Sequence, residues 1–246
     1  MPTLAKCRTC NKRGCMSYGR SLKPVSTKLP VKGARIIRAE DDIRAGIRIL
    51  RRKCAYIRLM HDLVGDPPLR RREPGFEGLA RIVVSQQVSV ASANAIWARF
   101  AQAVQPMTAE NVLQISEKAL QLAGLSRPKI RTLRAISTAV IYDGLALDKV
   151  ALEQEVAVHE ALTRVSGIGP WTADIFLLFC MGHADAFAAG DLALQEAARL
   201  AFKLEKRPNA EGLLALAERW RPWRGVAARL LWDYYRVAKL REGITV

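Results

Sequence analysis

Apolar residues recur every three or four positions along most of this chain, the spacing of one buried helix face. The pattern predicts helices at 76–86, 89–103, 108–112, 115–121, 127–142, 154–163, 170–181, 191–202, 209–219 and 224–238. Gly, Pro or capping residues interrupt it, as at Gly124-Leu-Ser126 and Lys206-Arg-Pro-Asn209. A further helix is expected to start at Glu40-Asp41-Asp42, because acidic side chains suit the positive end of a helix. It would carry Ile43, Ile47, Leu50, Ile57 and Leu59 on one face. No apolar–polar alternation runs beyond a few residues, and no solenoid repeat or heptad array is present. The expected fold is all-α, built from short helices.

Residues 1–38 break the pattern. They are poor in apolar residues and punctuated by Pro24, Pro30 and Gly33, and are read as a disordered basic tail ahead of a folded domain at 39–246. An upstream translation start would also produce such a tail. Gly65-Asp-Pro-Pro-Leu-Arg-Arg-Arg72 reads as a loop whose arginines form a solvated charge run, with phosphate contact as the alternative.

Charge then enters. The chain of 246 residues carries 39 Lys and Arg against 23 Asp and Glu, a formal net charge of +16, which favours a polyanionic partner such as nucleic acid. Ten of those basic residues and no acid lie within 1–38, leaving +6 for the rest. No apolar run reaches the roughly 18 residues a bilayer span requires, and no signal-peptide core is present. A soluble, intracellular protein with no membrane partner is expected: cytoplasmic and nucleoid-associated if bacterial, nuclear if eukaryotic. Cys54 and Cys180 lie in apolar helical surroundings and read as buried thiols. Cys7-x-x-Cys10 with Cys15 is an incomplete zinc knuckle, with no nearby histidine to finish the tetrahedron. No metal site is assigned with certainty.

Val165-Ser-Gly-Ile-Gly-Pro-Trp-Thr-Ala173 carries the clearest chemistry. It reads as the end of one helix, a two-glycine hairpin and a second helix opened by Pro170, which suits a first turn because it lacks an N–H. Gly167 and Gly169 are expected to take backbone angles a side chain would resist. Free amides around Gly167 to Trp171 would then face outward and bind phosphate without reading sequence. Gly190-Asp191 places one carboxylate at the start of the 191–202 helix, where it either caps the helix or does chemistry.

The hairpin string closely resembles the helix–hairpin–helix of the base-excision DNA glycosylase superfamily. Arg81-Ile-Val-Val-Ser-Gln-Gln-Val-Ser-Val-Ala-Ser-Ala93, Asp185-Ala-Phe-Ala-Ala-Gly-Asp-Leu-Ala-Leu194 and Trp220-Arg-Pro-Trp-Arg224 with Trp232 resemble further motifs of its alkylbase (3-methyladenine) branch, in family order. The resemblance covers about residues 75–238. It implies a compact two-subdomain helical bundle with the active site in the cleft between them, the hairpin at about 154–181 and the catalytic segment at 185–194.

Matched residue by residue, the resemblance makes Asp191 the catalytic carboxylate and places Trp171 and Trp232 on the base pocket. Gln87 becomes the residue that wedges into the gap left by an extruded nucleotide. Gly167, Gly169 and Thr172 become DNA contacts, and the carbonyls of Thr163, Val165 and Ile168 a seat for a monovalent cation. Ala188 departs from a proline often found before the Ala-Gly-Asp turn. Strand-cleaving relatives carry a Schiff-base lysine where Trp171 stands, and tryptophan has no amine. The four-cysteine iron–sulfur signature is also missing. A monofunctional, cofactor-free DNA glycosylase that removes alkylated purines from double-stranded DNA, acting as a monomer, is expected. A non-catalytic DNA-binding module, or a glycosylase for other damaged bases, are the alternatives.

Overall fold

In the computed structural model, which describes residues 35–147 and 155–241, the first helix is α1 (Glu40–Lys53). The Asp42 carboxylate accepts the amides of Arg38 and Ala39 at 2.8 and 3.1 Å, and those two bonds hold its titration below the usual carboxylate range. Basic Arg51, Arg52 and Lys53 close the negative end. The helix does not run on to Leu59. Cys54 is extended (φ −143°, ψ 116°), and α2 (Ala55–Val64) starts afresh after it. The break resets the helical phase, so Ile57 and Met60 face the core while Leu59 is 60% exposed.

Next come α3 (Phe76–Ser85), α4 (Val90–Ala103), α5 (Ala109–Gln114), α6 (Glu117–Leu122) and α7 (Arg127–Ile141). Ser89, Thr108 and Ser116 begin α4, α5 and α6 by accepting amides three residues on, the N-cap geometry that such residues favour. The hairpin helices are α8 (Glu155–Thr163) and α9 (Pro170–Ile175), and α9 continues as a π-helical turn over Phe176–Met181. Then follow α10 (Leu192–Phe202), α11 (Ala210–Ala217), a tight turn at Glu218–Trp220, and α12 (Arg224–Arg241).

These elements form two groups around a continuous core. α1 and α2 pack with α10 and α12, so the two ends of the described chain build one group together. α3 to α7 build the other, with α7 against α3 and α5. α9 and its π turn touch α3, and Leu178 and Phe179 of the π turn meet Arg229 and Trp232 of α12, so the π turn contacts both groups. Trp220 and Phe100 are among the largest fully buried side chains, and Trp223, Cys54 and Cys180 are buried as well. Among the described residues no helix is long and apolar enough to cross a membrane.

The folded region begins earlier than residue 39. Ile36 pairs with His183 as an isolated antiparallel bridge, Ile37 donates to the Gly182 carbonyl at 2.7 Å, and Arg35 accepts the Ala184 amide at 2.9 Å. Ile37 is fully buried. Gly182 (φ 74°) permits this approach, since a Cβ there would stand 2.6 Å from the Ile37 carbonyl. The low apolar content around Ile36-Ile37 hid the segment, because two apolar residues make no period. The rest of the tail, including Cys7, Cys10 and Cys15, lies outside the described residues.

The Gly65–Arg72 loop is exposed at Arg70 and Arg71, as a solvated charge run would be, yet it is also bonded to the core. Arg70 pairs with Asp233 at 2.9 Å, Arg71 donates to the Cys180 carbonyl at 3.2 Å, and the Arg72 amide donates to the Phe179 carbonyl at 2.9 Å. These bonds sew the loop to the core.

Candidate active site

Asp191 stands at the N-cap of α10, where its Oδ1 accepts the Leu194 amide at 3.0 Å. The same carboxylate receives two indole N–H groups. Trp171 Nε1 donates to Oδ2 at 2.9 Å, and Trp232 Nε1 donates to Oδ1 at 3.1 Å. The capping and chemical readings of Asp191 therefore do not compete, because one carboxylate has acceptor sites enough for both. Three elements converge here: Trp171 comes from the first turn of α9, Trp232 from α12, and Asp191 from the turn into α10. All three residues are half-buried.

Phe179 is an aromatic residue that the pattern of the sequence did not single out. It lies on the π turn, with its ring 5.5 Å from that of Trp232 at a tilt of 33°. Behind it, the Arg229 guanidinium stands 4.5 Å from the Phe179 ring and donates to the Leu178 carbonyl at 2.8 Å. Burial pulls the Arg229 titration down to about 10. Its sequence signal was weak, because a Phe in an apolar helix reads as core.

The turn ahead of Asp191 is held from the C-terminal side. Asp185 pairs with Arg221 and, at 3.0 Å, with Arg224. The Arg224 amide adds a bond to Asp185 at 3.3 Å. The Trp220–Arg224 motif thus supplies both cations that clamp the start of the Asp185–Leu194 segment.

In the hairpin, Val165 accepts the Ile168 amide at 3.0 Å, and Gly167 takes φ 88°. A Cβ on Gly167 would fall 2.0 Å from the Thr132 hydroxyl, so α7 packs directly against this backbone. Gly169 behaves differently from expectation. Its φ of −94° suits any residue, and a Cβ there would meet nothing within 4 Å. The amides of Gly167 and Gly169 take no backbone acceptor among the described residues, whereas that of Ile168 is engaged.

Thr172, expected as a DNA contact, is turned inward. It is buried, its amide donates to Gly169 at 3.0 Å, and its hydroxyl accepts Gln86 Nε2 at 2.8 Å. Through the bond from Gln86, Thr172 ties the hairpin to the loop after α3. The next residue in that loop, Gln87, is exposed and left-handed at φ 55°. His183 is buried without a carboxylate partner, and desolvation pulls its titration down. Lys129 Nζ donates to the Val84 carbonyl at 2.7 Å, capping α3.

Behind the hairpin lies an acidic pair. Burial pushes Asp174 up to about 7, with Glu155 adding to the rise and Arg224 opposing it. His159 Nε2 stands 3.6 Å from Asp174. Desolvation raises Glu155 too.

A family model for the HhH-GPD superfamily of base excision DNA repair proteins matches residues 80–222, which include the hairpin, the Asp191 turn and Arg221 of the clamp. The chain belongs to this superfamily. It is 31% identical over 187 residues to DNA-3-methyladenine glycosylase 1 of Schizosaccharomyces pombe, covering 74% of this chain and 81% of that one. The fold superposes on a solved 3-methyladenine DNA glycosylase of that yeast in complex with abasic DNA. The TM-score there is 0.70 at 28% identity, over 78% of this chain and 95% of the other. A DNA-3-methyladenine glycosidase from Bacillus halodurans gives 0.68 at 27% identity, over 81% and 92%.

Proposed function

We propose that this superfamily member is a monofunctional DNA glycosylase that hydrolyses the N-glycosidic bond of alkylated purines in double-stranded DNA, as a step of base-excision repair. The observation that carries this reading is the Asp191 carboxylate held between two tryptophans that both donate to it. Relatives named as 3-methyladenine glycosylases support the substrate class.

The target bond lies inside a duplex, so the nucleotide must be extruded at a cost of a few kcal/mol. Gln87, exposed on a left-handed backbone, fills the vacated space. The hairpin amides of Gly167 and Gly169 hold a backbone phosphate. The extruded base stacks on Trp171 and Trp232, and a ring-alkylated purine carries positive charge that an indole face attracts. Departure of the base moves the bonding pair onto its nitrogen and leaves positive charge on the sugar. Asp191 stabilises that charge and orients the water whose oxygen bonds to C1′, while the water proton passes to the carboxylate or to solvent.

Among the described residues, the groups that hydrogen-bond Asp191 are two indoles and a backbone amide, in keeping with hydrolysis rather than a Schiff base. The reaction as written uses no cofactor. The hairpin carbonyls of Thr163, Val165 and Ile168 are neutral oxygens suited to a monovalent cation, which would lend positive charge to the phosphate grip. Val165 keeps a lone pair beyond the one given to Ile168. The enzyme acts as a monomer, in the bacterial cytoplasm at the nucleoid or in a eukaryotic nucleus.

Incubation with duplex DNA containing 7-methylguanine tests the proposal. Free 7-methylguanine is the expected product, with no borohydride-trapped covalent complex. DNA binding without base release would instead mark a silent binding module, and a trapped complex would mark a lyase.

A further inference from the structure

The loop Gly65–Arg72 meets the ends of α3 and α4 around a cavity of about 360 Å³ that the chemistry at Asp191 does not use. Arg70, Arg71, Arg72 and Arg81 line it, with Val88 and Asn94 on the side of the Gln87 loop. Four arginines line the one cavity, and among the described residues Arg70 alone of the four pairs with a carboxylate, that of Asp233. Arg71 spends its donors on carbonyls, and Arg81 lies over the Trp97 ring at 5.4 Å. Among the described residues no carboxylate pairs with Arg72 or Arg81. Desolvation lowers the Arg72 titration and the charge of Arg81 lowers it further, while the Cys180 thiol opposes the fall. Arg72 and Arg81 repel one another until an anion enters, and the bonds of Arg70, Arg71 and the Arg72 amide to the core hold the arrangement ready-made.

Its place in the fold says which anion. Gln86 bonds to the hairpin through Thr172, and Val88 lines the cavity, so hairpin and cavity flank the exposed Gln87. A residue entering a duplex from a groove has one sugar–phosphate backbone on either side. The exposed Val88 and Val90 give the cavity an apolar border suited to a deoxyribose, beyond what a free phosphate needs. We infer that this arginine-lined cavity seats a phosphodiester of the strand opposite the damaged nucleotide, while the hairpin holds the damaged strand. The inference rests on the DNA-glycosylase reading above.

The test is binding of the full chain to duplexes carrying a stable abasic analogue, with single neutral methylphosphonate linkages placed along either strand. Neutralising one linkage of the undamaged strand is expected to weaken wild-type binding about tenfold, the scale of one charge-assisted contact. The Arg72→Gln/Arg81→Gln variant should lose that sensitivity, keep its sensitivity to the damaged strand, and show a salt slope shallower by about one or two. Sensitivity confined to the damaged strand, or kept by the variant, overturns the inference. Asn94→Asp places a carboxylate beside the arginines without removing any. It should raise thermal stability and weaken DNA binding together, whereas unchanged binding counts against a phosphate seat. Release of 7-methylguanine is scored separately, so a failure of the glycosylase reading is distinguished from a failure of this one.

Discussion

Replacing Asp191 with asparagine keeps the size of the side chain and exchanges one acceptor oxygen for an NH2 donor. The remaining oxygen can keep the Leu194 amide and the Trp232 indole, which leaves the new NH2 facing the Trp171 N–H across 2.9 Å. One hydrogen bond to a charged group is lost, worth about 1.5–3 kcal/mol. That lowers the melting temperature by several degrees in a domain of this size and does not unfold it. The chemical loss is larger. A carboxylate about 4 Å from the sugar cation, at an effective dielectric near 20, stabilises it by roughly 4 kcal/mol, about a thousandfold in rate. Single-turnover release of 7-methylguanine, with enzyme in excess, should fall by about that factor. Binding to a duplex with a stable abasic analogue should change only a few-fold. Excision within tenfold of wild type would refute the electrostatic role, and equal losses in excision and binding would reduce Asp191 to a helix cap.

The two hairpin glycines should part company. Gly167→Ala meets Thr132 and a left-handed backbone, and should cost at least about 2 kcal/mol in chemical denaturation. Gly169→Ala should leave stability unchanged and weaken DNA binding, because its Cβ enters only the space a phosphate would use; equal binding by this variant would count against the grip. Asp174, raised from 3.8 to about 7 by burial, binds its proton more tightly folded than unfolded, so its contribution to stability is full below about pH 4 and lost as pH rises through about 7. Asp174→Asn should therefore stabilise the protein at pH 8, by at most about 4 kcal/mol, and hardly at pH 4; parallel pH–stability curves for the two proteins would refute this. Deleting residues 1–34 removes eight Lys and Arg and should flatten the salt dependence of DNA binding with no change in base preference. Deleting 1–38 should in addition lower the melting temperature, because Ile37 leaves the core.

What the sequence made legible were features with local causes. Helix periods, the caps at Ser89 and Asn209, Pro170 opening α9 and the carboxylate ahead of α10 all write themselves into a few consecutive residues. The features it concealed depend on distant partners. Thr172 at the start of α9 looks as available as any threonine until Gln86 is folded against it. Nothing in the run Arg70 to Arg72 shows that Asp233 and the carbonyls of the π turn stand beside it. Ile36 and Ile37 are too short a run to register as an element, and become one only because Gly182 lets their backbone approach. Cys54 carries no breaker signal at all, and its extended geometry shows only in the phase of the residues buried after it.

The two indole hydrogen bonds to Asp191 carry a consequence for selectivity. Because each N–H is committed to the carboxylate, neither tryptophan can use it to read the edge of a base. On the proposed stacking role, what they present is flat ring surface, which would accept purines of many substitution patterns. Discrimination by fit is then weak, and the choice falls to the substrate's own bond. A purine whose glycosidic linkage is already labile leaves within the time it is held, while an intact one returns to the helix. An enzyme built in the proposed way would act as a kinetic filter, and its breadth across lesions should track how readily each base departs in free solution.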